Sequence, residues 1–199
     1  MNTKDHLILI LAAGEASRMG RVKQMLTHHG KSLIQLAIEN ALVTGCKVVV
    51  VLGAHSKQIM PTIEHYPARL VPNHRWKNGI GTSIRSGIDT ALDIYPDLKG
   101  VTITLADQPL VTPKHLTAIM RLAETTNAQI IASVYQNTFG VPAYFSSAIF
   151  NELMELSGDS GAKSIIQKHE QLVTGIQFDD GAVDIDTKED WQEYTEQYD

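Results

Sequence analysis

Glycines and cations are concentrated just after the first apolar run of the chain. The stretch Leu11–Lys23 contains Gly14 and Gly20 together with the cations Arg18 and Lys23. Glycine lets backbone N–H groups approach a phosphate closely, while arginine and lysine neutralise its charge. The spacing lacks both the Gly-Lys-Ser/Thr of a P-loop and the G-x-G-x-x-G of dinucleotide-binding proteins. It predicts a phosphate-binding loop, the alternative being a strand-to-helix turn with solvated cations.

Carboxylates follow apolar segments at two later points. Asp107 comes directly after the apolar run Val101–Leu105, and Asp184 and Asp186 precede the start of a helix at Thr187. Mg²⁺ prefers one or two carboxylates together with phosphate oxygens and water. We therefore expect Asp107, together with Asp184 or Asp186, to hold a divalent cation. Alternating spacing places Asp184 and Asp186 on the same side of a predicted strand. The alternative is that Asp107 caps a turn and the other two are solvated.

Polar and small residues in two further segments suggest contacts with substrates. Asn73, Gly79 and Ser83 suit hydrogen bonding to a ribose or base, and Trp76 offers a flat apolar wall, although a lone tryptophan also packs well against a sheet. Lys163 follows a tight glycine-containing turn and is a candidate contact for an anionic acceptor. Helix capping explains the polar residues of that turn equally well.

The elements that must position these residues alternate between strands and helices. Near-continuous apolar, β-branched runs predict strands covered on both faces. These runs are His6–Leu11, Lys47–Leu52, Val101–Leu105 and Gln129–Val134. Helix starts are predicted at Ser32, Thr112 and Thr187, and another near Thr82 or Ser83. This alternation predicts an α/β fold with an open, mostly parallel sheet and helices on both faces, whose ligands lie at the carboxyl ends of the strands.

Composition limits the classes of protein to which the chain can belong. It has 199 residues, of which 43% are hydrophobic, and a formal net charge of −5. This charge argues against a general nucleic-acid or membrane-surface binder. The single cysteine, Cys46, fits a reducing cytoplasm, and neither a signal peptide nor a membrane span is evident. Without a linker or repeat, residues 1–199 are expected to form one cytoplasmic domain.

The motifs together resemble the nucleotidyltransferases that attach a nucleotide to molybdopterin, most closely the CTP-using molybdenum cofactor cytidylyltransferases. The first loop alone is shared with many sugar and isoprenoid nucleotidyltransferases. The likeness spans residues 7–190, and its motifs occur in the family's order. They are Leu11-Ala12-Ala13-Gly14-x-x-Ser17-Arg18-Met19-Gly20-x-x-Lys23, Asn73-x-x-Trp76-x-x-Gly79-x-x-x-Ser83-x-x-x-Gly87, Leu105-Ala106-Asp107-Gln108-Pro109-Leu110, Gly140-Val141-Pro142, Gly158-Asp159-Ser160-Gly161-Ala162-Lys163 and Asp184-Ile185-Asp186-Thr187-x-x-Asp190.

This resemblance implies a three-layer α/β/α Rossmann-like nucleotidyltransferase fold and a Mg²⁺-dependent transfer of CMP from CTP to the phosphate of molybdopterin, with release of pyrophosphate and a molybdoenzyme as recipient of the product. The implied catalytic residues are Arg18, Lys23 and Asp107, and the implied metal ligands are Asp107 and Asp186. The implied nucleotide-binding residues are Leu11, Ala12, Ala13, Gly14, Arg18, Lys23, Asn73, Gly79, Ser83 and Asp107.

Two positions bear on the choice of substrates. Ala13 favours CTP, because the guanylyl-transferring relatives usually have glycine there. Val141 departs from the pattern, since the cytidylyltransferases usually carry histidine between the glycine and the proline. A guanylyl- or sugar-phosphate nucleotidyltransferase is therefore the alternative on the same fold, and a non-catalytic nucleotide-binding accessory protein of molybdoenzyme maturation is the alternative from another class.

Overall fold

The computed structural model describes residues 3–15 and 19–198 of the chain. Within this part the strands are β1 (His6–Ala12), β2 (Thr27–His28), β3 (Lys31–Ser32), β4 (Lys47–Leu52), β5 (Arg69–Pro72), β6 (Gly100–Leu105), β7 (Ile130–Tyr135), β8 (Thr138–Ser146) and β9 (Val173–Gln177). The α-helices of the same part are α1 (Leu33–Val43), α2 (Ser56–Ile63), α3 (Ile80–Ile94), α4 (Pro113–Thr126), α5 (Phe150–Glu155), α6 (Ala162–Lys168) and α7 (Lys188–Tyr198).

Seven strands form one sheet in the order β5-β4-β1-β6-β8-β7-β9, while β2 and β3 form a separate small hairpin. Only β8 runs antiparallel to its neighbours in the large sheet; the other pairs are parallel. The predicted α/β fold with an open, mostly parallel sheet is therefore confirmed.

Helices cover both faces of this sheet, because side chains alternate between the faces of a strand. Leu7 and Leu9 pack on one face with residues of α3, α5 and α6. Ile8 and Ile10 pack on the other face with residues of α1, α2 and α4. Burying such a side chain stabilises the fold by roughly 1.5–3 kcal/mol. The two cores hold the central strands firmly, so the carboxyl ends of β1 and β6 form a rigid platform.

The four predicted strands are confirmed as β1, β4, β6 and β7, with ends that shift by one residue at most. The strands β5, β8 and β9 were not predicted. The strand β8 contains Gly140 and Pro142, which usually weaken a strand assignment. It accommodates them at a register shift opposite Ala132 and Ser133 of β7, where the regular ladder is interrupted.

Helix starts follow the predicted capping residues. Ser32 and Gln35 form a reciprocal capping box at α1, and the Thr112 side chain accepts a hydrogen bond from the backbone of His115 at α4. The prediction for α3 was wrong by two or three residues, since the helix begins at Ile80 instead of Thr82 or Ser83. Within the described ranges, no helix has the length and apolar character needed to span a membrane.

Candidate active site

A cavity of about 360 Å³ opens at the carboxyl ends of β1 and β6. Its walls come from the loop after β1, the loop after β6, the start of α3 and the turn before α6. Eight of the residues predicted to form the site line this cavity, namely Leu11, Ala12, Ala13, Gly14, Lys23, Gly79, Ser83 and Asp107. Arg18, which was predicted together with them, lies outside the described residues. The cavity is large enough to accept much of a nucleotide-sized ligand.

The side chain of Lys23 connects two carboxylates from distant parts of the chain. Its Nζ forms a short ion pair with Asp107 and donates to Asp186 Oδ1 at 2.8 Å. Burial alone lowers the pKa of Lys23, but the charge and hydrogen bond of Asp107, together with those of Asp186, outweigh it and raise the pKa above its ordinary value. Lys23 therefore carries a positive charge beside the cavity.

The backbone of Asp107 is fixed by hydrogen bonds, whereas one of its side-chain oxygens has no hydrogen-bond partner in the described residues. Its carbonyl oxygen accepts a hydrogen bond from the Ile185 N–H at 3.0 Å, and Ala106 before it donates to Leu11 at 3.1 Å. Asp107 Oδ1 is buried and has no hydrogen-bond partner within the described chain, whereas Oδ2 pairs with Lys23. An unsatisfied buried carboxylate oxygen is costly and marks a place for a ligand atom.

Asp184 and Asp186 do not lie on a strand, contrary to the prediction; they belong to an irregular segment before α7. Ile185 between them is fully buried and anchors this segment to a small core that contains Met19, Leu26 and Tyr194. Asp186 thereby reaches Lys23. Asp184 is partly exposed, yet desolvation by the surrounding protein and the charge of Asp107 raise its pKa to about 6.

Asn73 supports the cavity from behind. Its side chain is 5% exposed and donates to Thr82 Oγ1 at 2.9 Å and to Ser83 Oγ at 3.0 Å. Its Oδ1 accepts from the Arg75 N–H at 2.9 Å. Because both amide hydrogens have protein partners, Asn73 orients Ser83 at the cavity, and only the second lone pair of its Oδ1 remains for a ligand without breaking these bonds.

Gly79 brings the turn before α6 against the start of α3. It has a φ of +94°, and a Cβ atom at this position would lie 2.0 Å from the carbonyl oxygen of Gly158. The same oxygen accepts a hydrogen bond from the Gly81 N–H at 3.1 Å. This close approach, which only glycine permits, places Asp159 on the cavity wall. Lys163, predicted for the acceptor, is exposed on the first turn of α6.

Gln24 and Glu15 also line the cavity and were missed by the sequence analysis, which quoted Asp159, a third such residue, only within the motif before α6. Gln24 is 2% exposed, its Nε2 lies 3.5 Å from the carbonyl oxygen of Gly14, and its Oε1 is without a hydrogen-bond partner in the described ranges. Glutamine is usually exposed, so its burial is not visible from the sequence. Its position next to Lys23 was the one available signal.

The segment around Val141 borders the same carboxylates through Gln108. Gln108 Nε2 donates to the carbonyl oxygen of Gly181 at 3.1 Å and lies 3.5 Å from that of Val141. The Val141 side chain itself packs against an apolar core. Val141 therefore makes an apolar contact at the position where the cytidylyltransferases that the sequence resembles usually carry histidine.

A divalent cation fits the carboxylate pair of Asp107 and Asp186. No group of three His, Cys, Asp or Glu side chains in the described residues is arranged to hold a metal by itself. Mg²⁺, however, is usually bound by one or two carboxylates and completed by substrate phosphates and water. The carboxylates of Asp107, whose buried Oδ1 has no partner in the described residues, and of the half-exposed Asp186 match that donor set, and each already pairs with the Lys23 ammonium group.

Three known proteins are similar to this chain in sequence over most of its length. The chain is 33% identical over 196 residues to the purine catabolism protein PucB of Bacillus subtilis, covering 92% of each protein. It is 30% identical over 195 residues to the nicotine blue oxidoreductase of Paenarthrobacter nicotinovorans, covering 91% of this chain and 92% of the relative. It is 26% identical over 154 residues to a "probable molybdenum cofactor guanylyltransferase" of Thermococcus sibiricus, covering 77% and 74%.

A solved structure supports the fold. The manganese complex of Rv0371C from Mycobacterium tuberculosis superposes with a TM-score of 0.81 at 23% identity, covering 97% of this chain and 99% of that one. Residues 8–172 match the MobA-like NTP transferase domain. The chain therefore belongs to the MobA-like NTP transferase family of nucleotidyltransferases.

Proposed function

We propose that this protein is a Mg²⁺-dependent cytidylyltransferase that transfers CMP from CTP to the terminal phosphate of molybdopterin and releases pyrophosphate. The observation that carries the proposal is the ammonium group of Lys23 between Asp107 and Asp186 beside a nucleotide-sized cavity. These are the charges that a metal-bound triphosphate requires. Cytoplasmic location and delivery of the product to a molybdoenzyme belong to the same proposal.

The loop after β1 and the cation following it would hold the triphosphate. Gly14 carries no side chain, and an added Cβ would meet no atom of the described residues within 4 Å, which supports an approach of phosphate oxygens to its backbone. Lys23 lies at the same cavity. Together with Arg18 it would stabilise the charge that develops on the departing pyrophosphate.

Asp107 and Asp186 would hold the cation. When bound there, Mg²⁺ would neutralise phosphate charge and make the α-phosphorus more electrophilic. Support for a divalent metal in this fold comes from the manganese complex of Rv0371C. Lys23 Nζ would then turn from the two carboxylates toward phosphate oxygens, because a dication held by both carboxylates repels an ammonium group lying between them.

The transfer itself requires positioning more than covalent catalysis. An oxygen of the acceptor phosphate forms a bond to the α-phosphorus while the bond from this phosphorus to the oxygen bridging to the β-phosphate breaks. Pyrophosphate leaves with that electron pair. The attacking phosphate is already ionised, so no general base is needed, and the rate depends on alignment and charge neutralisation by Lys23 and its neighbours.

The choice of CTP is supported by Ala13, which lines the cavity. Gly53 approaches this residue closely, since a Cβ atom at Gly53 would lie 2.8 Å from the Ala13 methyl group. One methyl group changes discrimination by only about 1–3 kcal/mol. The molybdopterin acceptor is supported by the Thermococcus sibiricus relative, whose name specifies a guanylyltransferase. A guanylyl- or sugar-phosphate-directed enzyme is therefore the second candidate.

The decisive experiment combines ligand binding with turnover. Thermal stability is measured with CTP, GTP, UTP and ATP, each with and without Mg²⁺, for the wild-type protein and Lys23→Ala. A ligand at a hundred times its dissociation constant adds about 2.7 kcal/mol of stability. We expect a Mg²⁺-dependent shift with CTP that Lys23→Ala loses, followed by pyrophosphate release when molybdopterin is added.

Other outcomes select other functions. A GTP-selective shift favours the guanylyl-transferring candidate. Nucleotide binding without pyrophosphate release from any acceptor favours the accessory protein. If no nucleotide shifts stability with or without molybdopterin, the transferase proposal fails. A redox reaction then becomes the next hypothesis, because a relative of similar identity is named as an oxidoreductase.

A further inference from the structure

At the start of α7, the Asp190 side chain accepts hydrogen bonds from the backbone of the two residues that precede the helix. Asp190 Oδ2 accepts from the Thr187 N–H at 2.7 Å, and Thr187 Oγ1 accepts from the Asp190 N–H at 3.1 Å. These two bonds form a reciprocal helix cap. The same Oδ2 also accepts from the Asp186 N–H at 2.9 Å. Capping of the helix does not require this third bond, which acts one residue earlier.

The third bond fixes the backbone that carries the Asp186 carboxylate. On the preceding side, Ile185 is fully buried and donates its N–H to the carbonyl oxygen of Asp107 at 3.0 Å. Asp186 is thus held between two anchored neighbours, one tied to Asp107 and one tied to Asp190. Its side chain is 42% exposed, so side-chain packing contributes little to its orientation. The backbone bonds on either side therefore help to set its place 2.8 Å from Lys23.

We propose that Asp190 is a positioning residue that fixes Asp186 for binding of the divalent cation. The inference rests on the proposed function for its metal. It means that α7, through Asp190, helps to position a metal ligand. Loss of the Asp190 oxygen frees the Asp186 N–H and lets the carboxylate turn away from Asp107. Two carboxylates that no longer converge bind a cation more weakly.

Three variants separate positioning from charge and from helix stability. Asp190→Ala removes the acceptor; Asp190→Asn keeps a side-chain oxygen but removes the charge; Thr187→Ala weakens the same helix start while leaving the acceptor of the Asp186 N–H. Affinity for Mn²⁺ is measured by electron paramagnetic resonance on the folded full-length proteins, alone and with CTP. Hydrogen exchange of the Asp186 amide reports the bond directly.

We expect Asp190→Ala to weaken Mn²⁺ binding about tenfold and to expose the Asp186 amide to exchange, with less than a twofold change in metal-free CTP affinity. Asp190→Asn should restore most of both properties, and Thr187→Ala should lower the melting temperature with little effect on Mn²⁺. The proposal is overturned if Thr187→Ala weakens Mn²⁺ binding as much as Asp190→Ala, or if Asp190→Asn behaves like Asp190→Ala.

These readouts do not depend on turnover. If the wild-type protein releases no pyrophosphate but binds Mn²⁺ in an Asp190-dependent manner, the transferase proposal fails and the positioning role stands. If the wild-type protein binds no Mn²⁺ with or without CTP, the positioning role is rejected together with the metal site. If Asp190→Ala does not fold, Asp190→Glu, which keeps the charge but moves the acceptor oxygen, replaces it: the proposal stands if this variant binds Mn²⁺ more weakly than Thr187→Ala and is overturned if the two bind it alike.

Discussion

Two polar clusters, one between α4 and the strands β7 and β8 and the other at the carboxyl ends of β1 and β6, differ in how many of their hydrogen-bonding atoms have partners. In the first, the His115 ring nitrogen Nε2 lies 2.8 Å from Ser133 Oγ, which donates to the carbonyl oxygen of Pro142 at 2.6 Å. His115 also stacks on Phe178 at a centroid distance of 3.9 Å. This His115–Ser133–Pro142 chain is buried, and burial lowers the pKa of His115 to about 4, so it is neutral near pH 7.

The second cluster is charged and open. It consists of Lys23, Asp107, Asp184 and Asp186, and thus combines one ammonium group with three carboxyl groups. Asp107 Oδ1 is buried without a partner among the residues described. The neutral chain satisfies its own hydrogen bonds and stabilises packing, whereas the charged cluster leaves binding capacity for a ligand. In the second cluster, an unsatisfied carboxylate oxygen occurs together with charge and a position at the cavity, and this combination favours a functional role over a structural one.

The largest expected effect follows from removing the ammonium group. We expect Lys23→Ala to lower pyrophosphate release roughly a hundredfold, because one charge contact in a transition state contributes about 3 kcal/mol. In the absence of nucleotide, the variant should bind Mn²⁺ about tenfold more tightly, since the competing cation is gone. Steady-state kinetics and electron paramagnetic resonance measure the two effects. Lys31→Met, which removes an exposed ion-paired lysine, is the control; unchanged Mn²⁺ affinity in Lys23→Ala would contradict the competition.

Neutralising the proposed metal ligand should have the next largest effect. Asp107→Asn keeps the shape of the side chain but weakens its attraction for a cation, so activity should fall at least tenfold and the requirement for Mg²⁺ should rise. Circular dichroism should show a folded protein. Asp89→Asn, at an exposed position of α3, provides the matched control. Full activity in a folded Asp107→Asn protein would reject the metal assignment.

Breaking the neutral chain should affect stability and spare the chemistry. Ser133→Ala leaves the His115 ring N–H and the Pro142 carbonyl buried without their partner. Because each such group costs roughly 1–3 kcal/mol, we expect the free energy of unfolding to fall by about 3 kcal/mol. Denaturant titration measures the loss, and activity per folded molecule should stay within twofold of wild type. A large loss of activity would show that the two clusters are coupled.

The buried His115–Ser133–Pro142 hydrogen bonds should also make the stability of the protein depend on pH. The unfolded protein binds a proton at His115 near pH 6.5, whereas the folded protein does so only near pH 4, although the charge of Asp180 partly opposes this shift. Stability from this residue is therefore complete above pH 6.5 and is lost as the pH falls toward 4. Between pH 7 and pH 5 the loss is about 2 kcal/mol.

His115→Phe isolates this contribution, because it retains an aromatic ring against Phe178 but does not titrate. Urea unfolding of both proteins at a series of pH values gives the difference in unfolding free energy between them. As the pH falls from 7 to 5, the wild-type protein should lose stability relative to the variant. A difference that does not change with pH would show that His115 titrates alike in the folded and unfolded states.

Local patterns in the sequence predicted the central strands, the helix starts at Ser32 and Thr112, and the loops that line the cavity. Such patterns report burial and capping, which act over a few residues. The strand β8 escaped prediction, because Gly140 and Pro142 are tolerated only through a register shift against β7. The irregular segment that carries Asp184 and Asp186 was mistaken for a strand. Alternating apolar residues also occur where an extended segment outside the sheet packs on a small core, as this one does.

By itself, the sequence determined which residue types follow which strands, and hence that glycines, a lysine and a carboxylate meet at one edge of the sheet. Only the tertiary structure decided that Lys23 pairs with Asp107 and Asp186, which are 84 and 163 positions away along the chain. It also decided that the Asn73 amide group donates its hydrogen bonds to Thr82 and Ser83. Secondary structure follows from contacts close in sequence, whereas the meeting of distant charges depends on how all the elements pack together.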